Sequence, residues 1–491
     1  MKAVPDIAVE RASDVAHAFG VGEPVDATFD GELERARKAS GWSFIAVPAP
    51  VVGAPVVVAA AGSQPVVAWS STARSDRGGV EVIVGIGIAH ELRGHGAARW
   101  REVIAGARTM HVARATRTSP RLLQTMPAAD FARPRFLGGV AFVPGAADRA
   151  PWTGFGDAWF VLPRWTYVHD GTRAALVLAL DAGDAQHAAR WRDELASLRT
   201  ALDRVVAGTQ PPMTALDGGD RDAFRMQVSS ITDAIARGEV AKVVAARSAV
   251  VTLADVARIP DMLAQLDERQ TECVRLLVRP DGGGNAFVAA TPERLVRLAG
   301  STVSCDALAG SVARRAEVPD AETAATLLGS AKDRREHALV VDAIASALHQ
   351  LGAEVSMPDA PGVRTLRQIL HLHTPITAEL REPRHVLELA AALHPTPAVG
   401  GTPTAMATEW ISTSESPRGW YASPVGWFDL DGNGELAVAI RSGVIAGERA
   451  HLWAGAGIVA GSDPDRELAE TDLKLRAMLG ALGVTEAGGD R

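Results

Sequence analysis

"VAKVVAARSAVV", Val240 to Val251, is the stretch on which the reading of this chain turns. Its valines favour extended backbone, and it reads as a β-strand. Alternation places Lys242, Val244 and Ala246 on one face and Val243 and Ala245 on the other. A lysine among strand-forming valines has two readings. It is an edge-strand charge that guards against aggregation, or a half-buried amine whose lowered pKa suits a general base.

Working outward, short Val/Ile/Phe-rich runs alternate with Gly and Pro up to about Trp165, as in "GVEVIVGIGIA" (Gly79–Ala89) and "FLGGVAFVP" (Phe136–Pro144). These read as strands. His187–Leu202 and Arg221–Gly238 have helical spacing, and Ala321–Leu351 is the longest helix candidate. Between them "GTQPPMTALDGGD" (Gly208–Asp220) reads as a linker or long loop. The tail from Thr485 is expected to fray. Strands and helices mix without regular βαβ alternation, which points to α+β rather than a doubly wound parallel sheet. No period of solenoid length is present.

Composition narrows the function. The 491 residues are 47% hydrophobic and 22% charged, an ordinary globular balance with ample chain for a large core. A formal charge of −8 and 5% aromatic residues leave no basic footprint or stacking platform for nucleic acid. Cys273 and Cys305 form no CxxC or Cys/His cluster, against a disulfide framework or a structural zinc. The N-terminal "MKAVPDIAVERASDVAHAFG" lacks a signal-peptide core. The uncharged run from Phe44 to Trp69 is punctuated by Pro48, Pro50, Gly53, Pro55, Gly62 and Pro65. That reads as short buried strands with turns rather than a membrane span, and the expected location is cytoplasmic.

Two acidic faces stand out. Glu467, Glu470 and Lys474 in "SDPDRELAETDLKLRAML" lie at i, i+3 and i+7 and share one helix face. Asp333 and Glu336 in "AKDRREHALVVDAI" are again three apart, and their stripe continues into His337, Val340, Ile344 and Leu348. Beside the first face runs an apolar stripe of Leu468, Leu475, Met478, Leu479 and Leu482. Acids at the edge of a core-facing surface repel and are costly to desolvate. They are either solvated faces or the seat of a divalent cation. All-oxygen ligation suits Mg²⁺ better than zinc. Spacing alone does not say that the two helices meet.

Three further candidates carry open readings. Gly455-x-Gly457-x-x-Ala460 imitates a dinucleotide fingerprint, but Gly461-Ser462-Asp463-Pro464 intervenes before the helix. That leaves a glycine loop whose N–H groups meet a carboxylate, or a tight turn. Glu293 in "AATPERLV" is a first-turn acid near a helix N-terminus, or a protonated general acid in a closed site. His371 and His373 in "LHLHTP" face one side, as a metal pair or as satisfied core histidines.

Taken together, "KVVAARS" (from Lys242), "ATPERLV" (Ala290), "LAGSVARR" (Leu308), "KDRREHALVVDAI" (Lys332), "LHLHTPI" (Leu370), "LHPTPAVGGTP" (Leu393), "YASPVGWFDLDGNGELAVAIRS" (Tyr421) and "AGAGIV" with "RELAETDLKL" resemble the chorismate-utilising enzymes. That group contains isochorismate, anthranilate, aminodeoxychorismate and salicylate synthases. The motifs come in the family's order over roughly the C-terminal half. "FLGGVAFVP" and "FVLPRWTYV" extend a weaker similarity into the N-terminal half.

The resemblance implies two stacked, largely antiparallel sheets flanked by helices, with the active site between them. Residues 1–210 would form the N-terminal half, 211–485 the chorismate-binding core and 486–491 a frayed tail, all within one integrated domain. It implies Lys242 and Glu293 as base and acid. Glu336 and Glu470 would be direct Mg²⁺ ligands, with Asp333 and Glu467 supporting. Gly310, Ser311, His371 and Thr374 match substrate-binding positions. Tyr421, Arg441, the amides of Gly455 and Gly457, and Lys474 match positions that meet carboxylates. Within the group, Ala309 stands where a lysine nucleophile would, no LLES motif is present, and "LHPTPAVGG" is retained. These differences imply isochorismate synthase, acting on chorismate with Mg²⁺ and no obligatory protein partner, as a monomer. The rivals are salicylate synthase, anthranilate synthase component I and an inactive chorismate-binding protein. Ala245 and Ser423 depart from the family's usual Leu and Gly, which touches substrate fit rather than chemistry.

Overall fold

In the computed structural model, Val240–Val251 supplies most of a twelve-residue strand, Lys242–Leu253. The residues described are 25–71, 82–110, 133–204, 208–315 and 317–484. Both sides of this strand are covered. Arg449–Ile458 pairs along nearly its whole length, while Gly401–Thr402 takes the Lys242 end of the other side and Met213–Asp217 the far end. Lys242 is therefore not an edge residue, and its 0% exposure overturns the aggregation-guard reading. The expected linker also differs: Met213–Asp217 inside it is a sheet strand.

Two antiparallel sheets form the body. The twelve-stranded sheet runs Ser43–Ala49, Ala174–Leu180, Trp165–His169, Val82–Ile86, Val66–Ser71, Val274–Arg279, Ala286–Thr291, Ser442–Ala446, Arg449–Ile458, Lys242–Leu253, Gly401–Thr402, with Met213–Asp217 beside Lys242–Leu253. The ten-stranded sheet runs Ala353–Ser356, Ile369–Leu380, Thr302–Ala313, Arg294–Ala299, Gly434–Val438, Pro424–Asp429, Arg135–Val140, Ala158–Leu162, His90–Gly94, with Gly362–Thr365 beside Ile369–Leu380. In each sheet the strands before residue 210 form one block and those after it another, and the two blocks join edge to edge. Val66–Ser71 pairs directly with Val274–Arg279, and Arg135–Val140 with Pro424–Asp429.

Two of the places where the chain passes between the sheets lie side by side. Ala286–Thr291 belongs to the first sheet and Arg294–Ala299 to the second, so Pro292-Glu293 is a crossing. Gly434–Val438 and Ser442–Ala446 make the reverse crossing through Ala439–Arg441. The crossings are stitched by Val438 N–H to Glu293 O at 3.0 Å and Ala290 N–H to Arg441 O at 3.0 Å. The helix start expected at Glu293 is thus absent: the residue sits in a two-residue break between strands.

Two apolar clusters hold the layers. The larger includes Phe44, Trp69, Phe136, Phe160 and Phe287 from the sheets, with Val340, Ile344 and Leu348 of helix Ala331–Gln350. The second packs Phe29, Trp191, Leu266, Leu475 and Met478 of four helices against Ile45, Val84, Leu176 and Leu277 of the first sheet. Burying each such side chain contributes on the order of 1.5–3 kcal/mol before entropy. The single helix expected over Ala321–Leu351 is two, Asp320–Gly329 and Ala331–Gln350. Ser330 is extended between them, and its hydroxyl accepts from Asp333 N–H, starting the second helix. Asp463 caps helix Pro464–Ala481 in the same way, accepting from Arg466 N–H at 3.0 Å, with Pro464 in the first turn. The run from Phe44 contains a helix, Ala54–Ala60, between two strands, so the all-strand expectation holds only at its ends. Among the described residues no helix is long and apolar enough to cross a membrane. The tail at 486–491 lies outside the described residues.

Candidate active site

The crossings open one wall of a cleft with about 730 Å³ of space between its atoms. Val244, Pro292, Glu293, Leu308–Ser311, Glu336, His371, Tyr421, Arg441, Gly455, Gly457, Glu470 and Lys474 line it, with Ala398, Val399, Ala422, Ile440, Trp453 and Ala454. Ten segments of chain, spread over 230 residues, thus meet here through the sheets and the helices packed on them. Arg441 and Ala422 hold positive φ of 49° and 61°, uncommon for residues with a side chain. Both flank the crossing, where the backbone must turn sharply.

Lys242 lies beneath this surface. Its Nζ is 2.9 Å from Glu336 Oε1 in an ion pair. The contact is close but poorly directed, and Nζ has no well-angled hydrogen-bond acceptor. Burial pushes the Glu336 carboxyl up, but Lys242, with Lys332 and Lys474, outweighs it and holds the group below the usual carboxylate range. Glu293 behaves oppositely. Burial pushes its carboxyl up to about 8, with Asp306 adding to the rise against Lys242, Lys474 and Arg364. At neutral pH it is a proton-bearing acid.

The two acidic helices do meet. Lys332 Nζ of helix Ala331–Gln350 donates to Glu467 Oε1 of helix Pro464–Ala481 at 2.7 Å. Glu470 Oε1 pairs with Lys474 at 2.8 Å, and Lys474 also donates to Gly455 O at 2.9 Å. Each of three acids is thus matched to one lysine. Glu467 is raised by burial and then by the charge of Glu470, and Asp333 chiefly by burial. Only Glu336 and Glu470 line the cleft; Asp333 and Glu467 stand behind it. Among the described residues no three His, Cys, Asp or Glu side chains gather into a closed ligand set.

The glycine reading is corrected. Gly455 and Gly457 are inside strand Arg449–Ile458, opposite Ala246 and Val244, and form neither a loop nor a turn. Their missing side chains matter: a Cβ on Gly457 would run into Glu336 Oε1 and stand 2.9 Å from Lys242 Cε. Gly310 has φ +74°, and a Cβ there would meet Asp333 Cβ at 2.9 Å, so strand and helix touch at that glycine.

His371 and His373 share a strand face but not a ligand. Arg441 Nη2 lies 3.0 Å from His371 Nε2, and Ser311 Oγ lies 3.0 Å from Nδ1. Arginine can only donate, so Nε2 accepts and the ring proton sits on Nδ1, toward Ser311. Burial, then Arg441 and Lys474, holds His371 well below its ordinary range, so the ring is neutral. His373 Nε2 instead meets Asp306 Oδ1 at 2.8 Å. The metal-pair reading fails. Thr374 is also displaced from its expected place: it does not line the cleft, and its Oγ1 lies 2.8 Å from His337 Nε2. Strand alternation turns it away from His371 and His373. Tyr421 is buried and stacks on Trp453, with ring centroids 6.3 Å apart. Sequence reasoning did not single out Trp453, Val399, Ile440 or Lys332. "AVGG" and the lysine opening "KDRREH" were quoted as motif letters, and only contacts show what those positions touch.

Comparisons with known proteins place the chain in a family. The family profile described as "Chorismate binding enzyme" matches residues 55–483. The chain is 38% identical over 360 residues to the "Salicylate biosynthesis isochorismate synthase" of Pseudomonas aeruginosa, covering 71% of this chain and 74% of that one. It is 35% identical over 366 residues to "Isochorismate synthase MenF" of Bacillus subtilis, covering 71% and 75%. Among solved structures, MenF, the menaquinone-specific isochorismate synthase from Escherichia coli, superposes with a TM-score of 0.73 at 27% identity, covering 94% of this chain and all of that one. Anthranilate synthase component I from Streptococcus pneumoniae, at 18% identity and a TM-score of 0.63, shares the fold. A profile match running from helix Ala54–Ala60 to just beyond the last helix, together with relatives of this identity, establishes that the chain belongs to the chorismate-binding enzyme family.

Proposed function

We propose that this protein is an isochorismate synthase, converting chorismate reversibly to isochorismate. The observation that carries the reading is a buried, proton-bearing Glu293 on the cleft wall together with an amine, Lys242, beneath that wall, whose hydrogen-bonding capacity is not spent. Such a pair suits a displacement in which one hydroxyl arrives as another leaves. In its neutral form Lys242 takes a proton from water as the water oxygen bonds to C2. Glu293 gives its proton to the C4 hydroxyl, which departs as water while the ring double bonds shift. One proton is taken and one given, so the step balances. Arg441, oriented by its bond to His371, and Lys474, tied to Gly455 O, present positive charge for the substrate's carboxylates.

We assign Mg²⁺ as cofactor. Magnesium uses one or two carboxylates plus substrate oxygens and waters rather than a closed protein cage, and Glu336 and Glu470 on the cleft wall supply such a set. Asp333 and Glu467 would support them. When bound, the ion would orient and neutralise the ring carboxylate. The cytoplasm and a monomeric state complete the proposal. Menaquinone and siderophore or salicylate biosynthesis both start from this product.

The test is a product assay. Purified protein is mixed with chorismate and Mg²⁺, or with EDTA, and the products are separated by chromatography. Mg²⁺-dependent isochorismate without pyruvate supports the reading. Salicylate with pyruvate, or turnover only with ammonia, overturns the choice within the family.

A further inference from the structure

Behind the Glu293 wall lies a buried ionic cluster that the reaction does not use. Asp306, 8% exposed, sits on strand Thr302–Ala313 beside the strand that begins at Arg294. Its carboxylate meets an imidazole and two cations: His373 Nε2 at 2.8 Å, Arg364 Nη1 at 3.6 Å and Arg294 Nη1 at 3.8 Å. Arg294 is the next residue after Glu293 and is also held by Glu435 at 2.8 Å. Asp306 does not line the cleft.

Two guanidinium groups beside a buried carboxyl would ordinarily ionise it. We propose that Asp306 is a positioning residue for the proton of Glu293: pinned by His373 and placed between Arg294 and Arg364, it cancels the arginine charge that would otherwise strip that proton. This inference rests on the reading of Glu293 as proton donor. The other charged or titratable groups that act on Glu293 are Lys242 and Arg441 from the first sheet and the crossing, Lys474 from helix Pro464–Ala481, and Tyr421 from the turn before Pro424. All the cations among them favour ionised Glu293; burial opposes them most, and Asp306 supplies the opposing charge. The two carboxyls are pushed apart accordingly. Asp306 is raised by burial but brought below its ordinary range by His373, Arg294 and Arg364, whereas Glu293 is raised. Buried acids driven apart by their surroundings divide the roles of fixed charge and proton carrier.

The experiment is the pH dependence of kcat/KM for Asp306→Asn, Arg364→Met and Glu293→Gln. Losing the proton of Glu293 sets the alkaline limb. Asp306→Asn removes the opposing charge, and its limb should move down by roughly 1 pH unit. Arg364→Met removes a cation from a partly exposed site, and its limb should move up. Opposite displacements support the inference. Limbs that stay in place, or move the same way, overturn it and leave Asp306 as a structural staple. If Asp306→Asn does not fold, Arg364→Met decides alone, an upward move supporting and an unmoved limb overturning. Glu293→Gln separates the two levels: retained turnover defeats the proton-donor reading itself, whereas lost turnover with unmoved limbs in the other variants defeats only the role of Asp306.

Discussion

Glu293 and Lys242 show how far a residue's chemistry depends on its surroundings. A carboxyl at about 8 should keep kcat/KM level through neutral pH and lose it as pH rises through about 8, because the raised acid is active only while protonated. A pH–rate profile with no alkaline limb in that region would contradict this. Glu293→Gln and Lys242→Ala should each cut kcat by roughly 10²–10⁴-fold, measured by isochorismate formation. Gly457→Ala should be as damaging for a steric reason, since its methyl has no place beside Glu336 and Lys242. A folded Gly457→Ala protein with normal turnover would show that this contact is not needed. The identities of these residues were legible in the sequence as motif letters. Their protonation was not, because it follows from burial and from charges brought in by other strands and helices.

At the scale of elements, the strand Lys242–Leu253 and helix Pro464–Ala481 were readable from local pattern, but their neighbours were not. The lysine looked like an edge charge until Gly401–Thr402 was seen to pair beside it. The glycines looked like a loop because glycine usually marks turns, yet here Gly457 keeps a strand's surface bare for Glu336 and Gly455 does so for Tyr421. Helix Pro464–Ala481 carries Glu467 and Glu470 in the turns next to its capped end and Lys474 one turn further on. Asp463→Ala should cost about 1 kcal/mol through the lost cap. The thermal midpoint should fall and KM for chorismate rise together, read by calorimetry and steady-state kinetics. A lower midpoint with unchanged KM would mean that the cap stabilises the helix without placing its acids.

For the whole molecule, the ladder that the two halves share in each sheet makes them interdependent. Fragments 1–210 and 211–491, expressed apart, should each fail to fold, because Val66–Ser71 and Val274–Arg279 would lose their shared ladder and expose two sheet edges. A calorimetric scan of the intact chain should show a single transition; two separated transitions would refute interdependence. Chelation should stop turnover yet leave the thermal midpoint within a few degrees, since Lys242, Lys332 and Lys474 already offset Glu336, Glu467 and Glu470. The sequence by itself determined the strand and helix periods, the α+β class, and the order of motifs that resembles the family. These rest on local spacing, on where apolar residues recur, and on residue types in series. Only the tertiary structure decided that Pro292-Glu293 is a crossing between sheets, that Lys332 ties the two acidic helices, that Thr374 turns away from the cleft, and that Asp306 stands behind the acid. Those facts depend on which distant strands pair and which faces they bury, and Coulomb and desolvation terms act through space rather than along the chain.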